Sequence, residues 1–89
     1  MFELTATIHK ILAPTRVSND HYVLPVIIVH DLDGKQQYRY MQVVRSGVKE
    51  KMTGVSVGDN VKLKISLKGK EKGEIYYNLD EITGIEKLN

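Results

Sequence analysis

The stretch Val61-Lys62-Leu63-Lys64-Ile65-Ser66-Leu67-Lys68 restricts the fold more than any other feature, because it alternates strictly between apolar and polar residues. Alternation with a period of two belongs to a strand with one buried and one wet face, and it disperses apolar groups around a helix. Val61, Leu63, Ile65 and Leu67 define the oily face, while Lys62, Lys64 and Lys68 make the opposite face almost wholly cationic. Lys70 and Lys72 continue that parity past Gly69. If the row stays extended, Lys62 to Lys70 covers about 25 Å at roughly 3.3 Å per residue. Such a row is either a solvated surface or a track for a polyanion.

Other segments follow the same rule. Phe2, Leu4, Ala6 and Ile8 alternate on one face before the phase shifts at Lys10-Ile11, which predicts a bulge or bend. Residues 13–20, "APTRVSND", read as a Pro-containing polar loop. Residues 21–30 are apolar on both faces and β-branched, so this strand is covered twice or pairs with another chain; Pro25 predicts an edge or a bulge. Asp33-Gly34 supplies the positive φ angles of a tight hairpin. A third strand spans 35–45. Ser46 and the Val48–Met52 spacing predict a short helix before the lysine strand. A turn at 70–74 leads to a last strand over 75–88.

The expected fold is therefore all-β: a single domain over 1–89, built as a five-stranded Greek-key barrel of the OB type with one short helix between strands three and four. A small SH3-like barrel competes, but it usually lacks a helix there and has shorter strands.

Composition bears on function at two points. Residues 35–72 hold ten Lys or Arg against Glu50, Asp59 and Glu71, a balance of +7, while the remainder holds three basic residues against eight acids, a balance of −5. A charge concentrated in one half suggests a field aimed at an acidic partner. The chain also has no cysteine, which removes disulfides and Cys-based zinc sites and points to a reducing, cytoplasmic setting. No signal segment is expected, and the apolar run at 22–29 is too short to span a bilayer.

Catalytic signatures do not emerge. His9, His21 and His30 fit no metal-ligand spacing, and Asp31 and Asp33 read as turn residues rather than a calcium loop. Without a nucleophile motif or a phosphate loop, no enzyme, metal or cofactor is expected. Aromatic residues suggest binding instead. Tyr38 and Tyr40 share one face, with Arg39 on the other. Periodicity alone leaves open whether the tyrosines or Met41 and Val43 face inward; parity with Gln36 and Gln42 favours outward tyrosines. By the same reading Tyr76 lies outside and Tyr77, in phase with Ile75 and Leu79, lies in the core.

"YMQVVRSG", a helical stretch and then "VSVGDNVKLKISLKG" together resemble the C-terminal half of bacterial single-stranded DNA-binding proteins. The pattern is similar to the primosomal replication protein B family and to small bacterial OB-fold proteins with a "GD-x-V" entry to strand four and an aromatic pair in strand five. The likeness covers residues 40–88 and reaches the first half by pattern. It implies single-stranded DNA or RNA bound with little sequence preference. Lys35, Arg39, Arg45, Lys62, Lys64, Lys68, Lys70 and Lys72 would meet phosphates, and Tyr38, Tyr40 and Tyr76 would stack on bases. The chain has no tryptophan and no acidic tail before Asn89, which points to an accessory, plasmid or phage role in replication, recombination or repair. A homodimer or higher oligomer is expected from the two-sided apolar strand, with a replication or repair protein as a further partner. The competing reading is an OB-fold protein-interaction module, since this fold also serves sugar and protein binders.

Overall fold

The computed structural model describes residues 2–18, 21–44, 52, 54–78 and 80–88. Eight strands follow in order: β1 (Phe2–Ile11), β2 (Thr15–Ser18), β3 (His21–Leu32), β4 (Lys35–Val44), β5 (Asn60–Ser66), β6 (Gly69–Lys72), β7 (Ile75–Asn78) and β8 (Glu81–Lys87). No helix occurs among the described residues, and the helix expected over 46–52 falls on residues that, Met52 apart, lie outside them. Accordingly no described helix is long and apolar enough to cross a membrane.

The main sheet runs β1–β5–β8–β4–β3–β2, and β1 also pairs with β3. The five long strands thus form the expected Greek-key circuit β1–β5–β8–β4–β3 and back to β1. The β4–β8 seam is thin. It rests on one parallel pair, Gln42 with Glu81, and on the Gln42 N–H donating to the Asp80 carbonyl at 3.2 Å. The sheet is strongly curled without being a closed barrel.

The phase shift in the first strand is a bulge. Ile8 pairs with Ile28 and Lys10 with Ile27, which leaves His9 as the extra residue. The β3–β4 hairpin turns through Asp33 (φ 53°) and Gly34 (φ 78°), the two left-handed positions of a type I′ turn. Pro25 is buried, and it sits neither at an edge nor at a bulge. Its carbonyl accepts from the Leu12 N–H at 3.0 Å, at the breach where β1 ends and β2 has not begun. A missing N–H on that side costs the ladder little.

Alternation converts directly into a core. Ala6 and Ile8, Leu24, Val26 and Ile28, Met41 and Val43, Val61, Leu63 and Ile65, and Ile82 form one cluster with contributions from all five long strands.

Three expectations are corrected. Residues 13–20 are not all loop: Thr15–Ser18 form β2 against the start of β3, where Thr15 pairs with Val23. The lysine strand ends at Ser66, where its partners run out at Phe2↔Ile65 on β1 and Glu81↔Ser66 on β8. Leu67, in phase with the core residues, is consequently 65% exposed. The last strand is two strands. β7 pairs with β6 in a separate two-stranded sheet around Gly73 (φ 64°), and only β8 joins the barrel.

The break after Ser66 has a measurable consequence. Leu63→Ala should cost about 2–5 kcal/mol in urea unfolding, as expected for a truncated core leucine. Leu67→Ala should stay within about 0.5 kcal/mol of wild type. Equal losses at the two positions would mean that the alternation continues into the core past Ser66.

Candidate nucleic-acid interface

Tyr38 and Tyr40 stand on the outer face of β4, 60% and 62% exposed, while Met41 and Val43 take the inner face. Their cross-strand neighbours extend the surface across three strands. Tyr38 lies opposite Val29, which faces Thr7, and Tyr40 lies opposite Ile27, which faces Lys10. Side chains paired in this way on one face sit about 4.5–5.5 Å apart at Cβ, so they form a continuous patch. The bulge adds His9, whose ring meets Tyr38 edge-on with centroids 5.0 Å apart. Lys10 and His9 were not singled out from the sequence. The phase shift was their signal, because an extra residue there carries both side chains towards β4.

The β6–β7 hairpin forms a two-stranded sheet separate from the main one. Its base residues Gly69 and Asn78 border a shallow depression shared with Arg39, Leu67, Lys68 and Asp80. The cross-strand register divides the hairpin by chemistry. Lys70 faces Tyr77 and Lys72 faces Ile75 on one side, and Glu71 faces Tyr76 on the other. Tyr76 is 73% exposed, as expected, but its hydroxyl donates to Glu71 Oε1 at 3.2 Å on the acidic side. Tyr77 is not a core residue: it is 40% exposed and shares the cationic side with Lys70 and Lys72. Neither of those lysines forms an ion pair with a described residue.

The remaining cations are dispersed. Lys62 and Lys64 point outward from β5, which is separated from β4 by β8 and from β3 by β1, so they face away from the tyrosines. Acidic neighbours flank them: Lys62 lies 3.1 Å from Glu3 and opposite Glu86, and Lys64 lies opposite Glu3. The Lys64 stem crosses Gly84, where an added Cβ would meet its Cδ at 3.3 Å. Lys68 sits 2.5 Å from Glu81 Oε2. Lys35 is exposed at the tip of the β3–β4 hairpin. Arg39 shares the inner parity of Met41, and its Nε–H donates to Nε2 of His30 at 2.8 Å, so it turns away from the tyrosine face. Arg45 lies outside the described residues. The lysine row is therefore not one track, and the tyrosines and β5 lysines occupy different faces.

No protein-family model matches the chain. A lysine–tRNA ligase from Aliivibrio salmonicida (strain LFI1238) is 30% identical over 63 residues, which cover 71% of this chain but 13% of the ligase. The dimeric structure of the N-terminal domain of PriB protein from Thermoanaerobacter tencongensis superposes with a TM-score of 0.72 at 13% identity, over 99% of this chain and 94% of that one. A small single-stranded DNA-binding protein from Streptomyces coelicolor superposes with a TM-score of 0.56 at 10% identity, over 98% and 92% of the two chains. The fold is an OB-fold. Its face of strands two and three corresponds here to the outer surface of β3 and β4, and the loop joining strands four and five corresponds to the β6–β7 hairpin.

Tyrosine nitration followed by peptide mass spectrometry checks this surface. Tyr38, Tyr40 and Tyr76 should react ahead of Tyr77 in the free protein. Protection of Tyr38 and Tyr40 at low protein concentration would contradict the open face.

Proposed function

We propose that the chain binds single-stranded nucleic acid, DNA in the first instance, on the outer face of β3 and β4, with the cationic side of the β6–β7 hairpin beside it. The carrying observation is the pair of exposed tyrosines, Tyr38 and Tyr40, flanked by Val29 and Ile27 on the face that OB-folds use for oligonucleotides. Bases stack on aromatic rings whatever their sequence, so little sequence preference follows. Lys10, Lys35, Lys70 and Lys72 neutralise phosphates, Lys68 contributes less because Glu81 holds it, and Tyr77 joins Tyr38 and Tyr40 as a stacking group. Lys62 and Lys64 lie outside this contact, and Tyr76 contributes less because its hydroxyl is engaged by Glu71. The protein acts by binding, without catalysis, in an accessory role in replication, recombination or repair. The names of the PriB domain and the small single-stranded DNA-binding protein support this reading. The likeness to a lysine–tRNA ligase makes RNA the comparison to include.

A second reading rests on Ile27 and Val29, which are only half-buried on the same face. A homodimer that pairs these faces would cover them, and the dimeric PriB domain structure supports self-association in general. A docking module for another protein would use the same patch.

Fluorescence anisotropy of labelled oligothymidylate across a salt series, with matched RNA and duplex DNA, separates these readings. Single-stranded binding with a log–log salt slope of about −3 is expected if four or five phosphates are neutralised. Tyr38→Ala and Tyr40→Ala should each cost about 1–3 kcal/mol, the worth of one stacked base. Lys70→Glu with Lys72→Glu should weaken binding and flatten the slope, while Lys62→Glu with Lys64→Glu should leave affinity near wild type. Sensitivity confined to the Lys62/Lys64 variant would move the site to β5. No binding at low salt, with a dimer that Ile27→Lys dissociates in sedimentation equilibrium, would establish the second reading.

A further inference from the structure

The barrel has an open end that the nucleic-acid reading does not use. β1 pairs with β3 only from Thr7 onward, and its first residues pair with β5 alone. From Ala6 back to Phe2, the β1 edge that faces β3 carries no partner strand among the described residues. Across the gap, His30 to Leu32 pair only with β4. The two strands fork there, and the fork opens into a cup of 350 Å³ lined mainly by Phe2, Leu4, Leu32, Met41 and Leu67.

One cation enters this apolar cup. Arg39 is fixed through its Nε–H to Nε2 of His30, which is 8% exposed and whose Nδ1 lies 3.3 Å from the Asp31 carbonyl oxygen. His30 is thereby held as the tautomer that donates from Nδ1 and accepts at Nε2. The terminal nitrogens of Arg39 form no ion pair with a described carboxylate, although Asp31 and Asp80 also line the cup. A guanidinium whose terminal nitrogens pair with no described carboxylate, and whose position is set by a buried partner, suits a carboxylate bound through two hydrogen bonds.

We propose that this cup is a second binding site, which takes the free C-terminus of an extended peptide with an apolar last residue. Chain direction supports a terminus. A peptide added antiparallel to the free β1 edge starts beside Ala6 and ends beside Phe2, so its last side chain enters the cup and its carboxylate meets Arg39. Five residues of free edge give about 17 Å of strand, enough for a short segment to pair through its backbone. Charge selects against a nucleic acid: Asp31 and Asp80 oppose a backbone carrying one anion per nucleotide, but tolerate a single terminal carboxylate. The same two acids favour a basic residue upstream. The site is independent of the tyrosine face, so either assignment stands or falls alone.

The test uses isotope-labelled full-length protein, amide and arginine-Nε NMR shifts, and the probe peptide Ser-Lys-Thr-Val-Phe as free acid and as C-terminal amide. The acid is expected to shift residues 2–6, 30–32 and the Arg39 Nε signal, and to bind at least about tenfold more tightly than the amide. Arg39→Gln should abolish that preference, and Leu67→Glu, at an exposed position, should abolish binding with the spectrum otherwise that of a folded protein. Oligothymidylate should leave the Arg39 Nε signal unmoved. Equal affinity for acid and amide, shifts confined to Tyr38 and Tyr40, no shift at millimolar peptide, or displacement of the peptide by oligothymidylate would each overturn the proposal.

Discussion

Because Phe2 to Thr7 pair with β5 while Thr7 to Ile11 pair with β3, one strand of ten residues joins the two sides of the sheet. The partner changes at Thr7, and just beyond it, within the β3 pairing, β1 bends at the bulge of His9. Beside the bulge Ile8 is fully buried and donates to the Asp59 carbonyl while accepting from the Gly58 N–H. A bulge increases local twist, and twist is what carries a flat ribbon round into a barrel. If His9 were instead paired in regular alternation, Lys10 and Ile11 would exchange faces and a lysine would enter the core. The curl of the sheet, the core composition and the make-up of the outer face therefore all depend on this bulge.

The same geometry separates the surfaces. Each outer face carries only the side chains that alternate away from the core on neighbouring strands, so groups collected on one surface must come from paired strands. β4, β3 and β1 meet this condition, and their outward residues assemble Tyr38, Tyr40, Val29, Ile27 and Lys10. β5 does not, and its lysines are set among Glu3 and Glu86 instead. Exposed ion pairs of this kind contribute about 0–1 kcal/mol each. Lys62 and Lys64 thus lie on a different face from the tyrosines, set among acidic neighbours.

How much of this was legible in the sequence depends on whether a signal was local. The bulge showed as a phase shift, the β3–β4 turn as Asp33-Gly34, and the outward tyrosines as residues in phase with Gln36 and Gln42; each reports the backbone or face at its own position. The end of β5 was not legible. Leu67 and Lys68 continue the alternation, but burial also needs neighbouring strands, and β1 begins at Phe2, opposite Ile65. Tyr77 misled for a related reason: parity with Ile75 identifies a shared face, yet the hairpin stands clear of the barrel and both its faces are wet. Thr15–Ser18 looks like loop by composition and becomes a strand because β3, at twelve residues, outruns the part of it that β1 covers. Arg39 was read correctly as facing away from the tyrosines, but what it faces depends on His30, nine residues earlier and brought near by the hairpin register.

The β6–β7 hairpin is the element whose own energetics point to a ligand. All eight of its strand residues are exposed, and a lone two-stranded ribbon is marginally stable in water. It buries no apolar face, so its order rests on the β6–β7 backbone pairing, the Gly73 turn and the Tyr76–Glu71 hydrogen bond. A strand of nucleic acid laid over β3 and β4 and reaching the side with Lys70, Lys72 and Tyr77 would cover surface that the free protein leaves wet. Ordering the lysine side chains opposes that gain by roughly 0.5–1.5 kcal/mol each. Stacking on Tyr77 and release of counterions from the phosphates must exceed this cost. The pre-formed tyrosine pair on β4 carries little such penalty, because each tyrosine has only two side-chain torsions and sits on a strand anchored to the core by Met41 and Val43. On the proposed reading, the rigid face would set the register of a bound strand, and the exposed hairpin would add contacts to a strand already placed there.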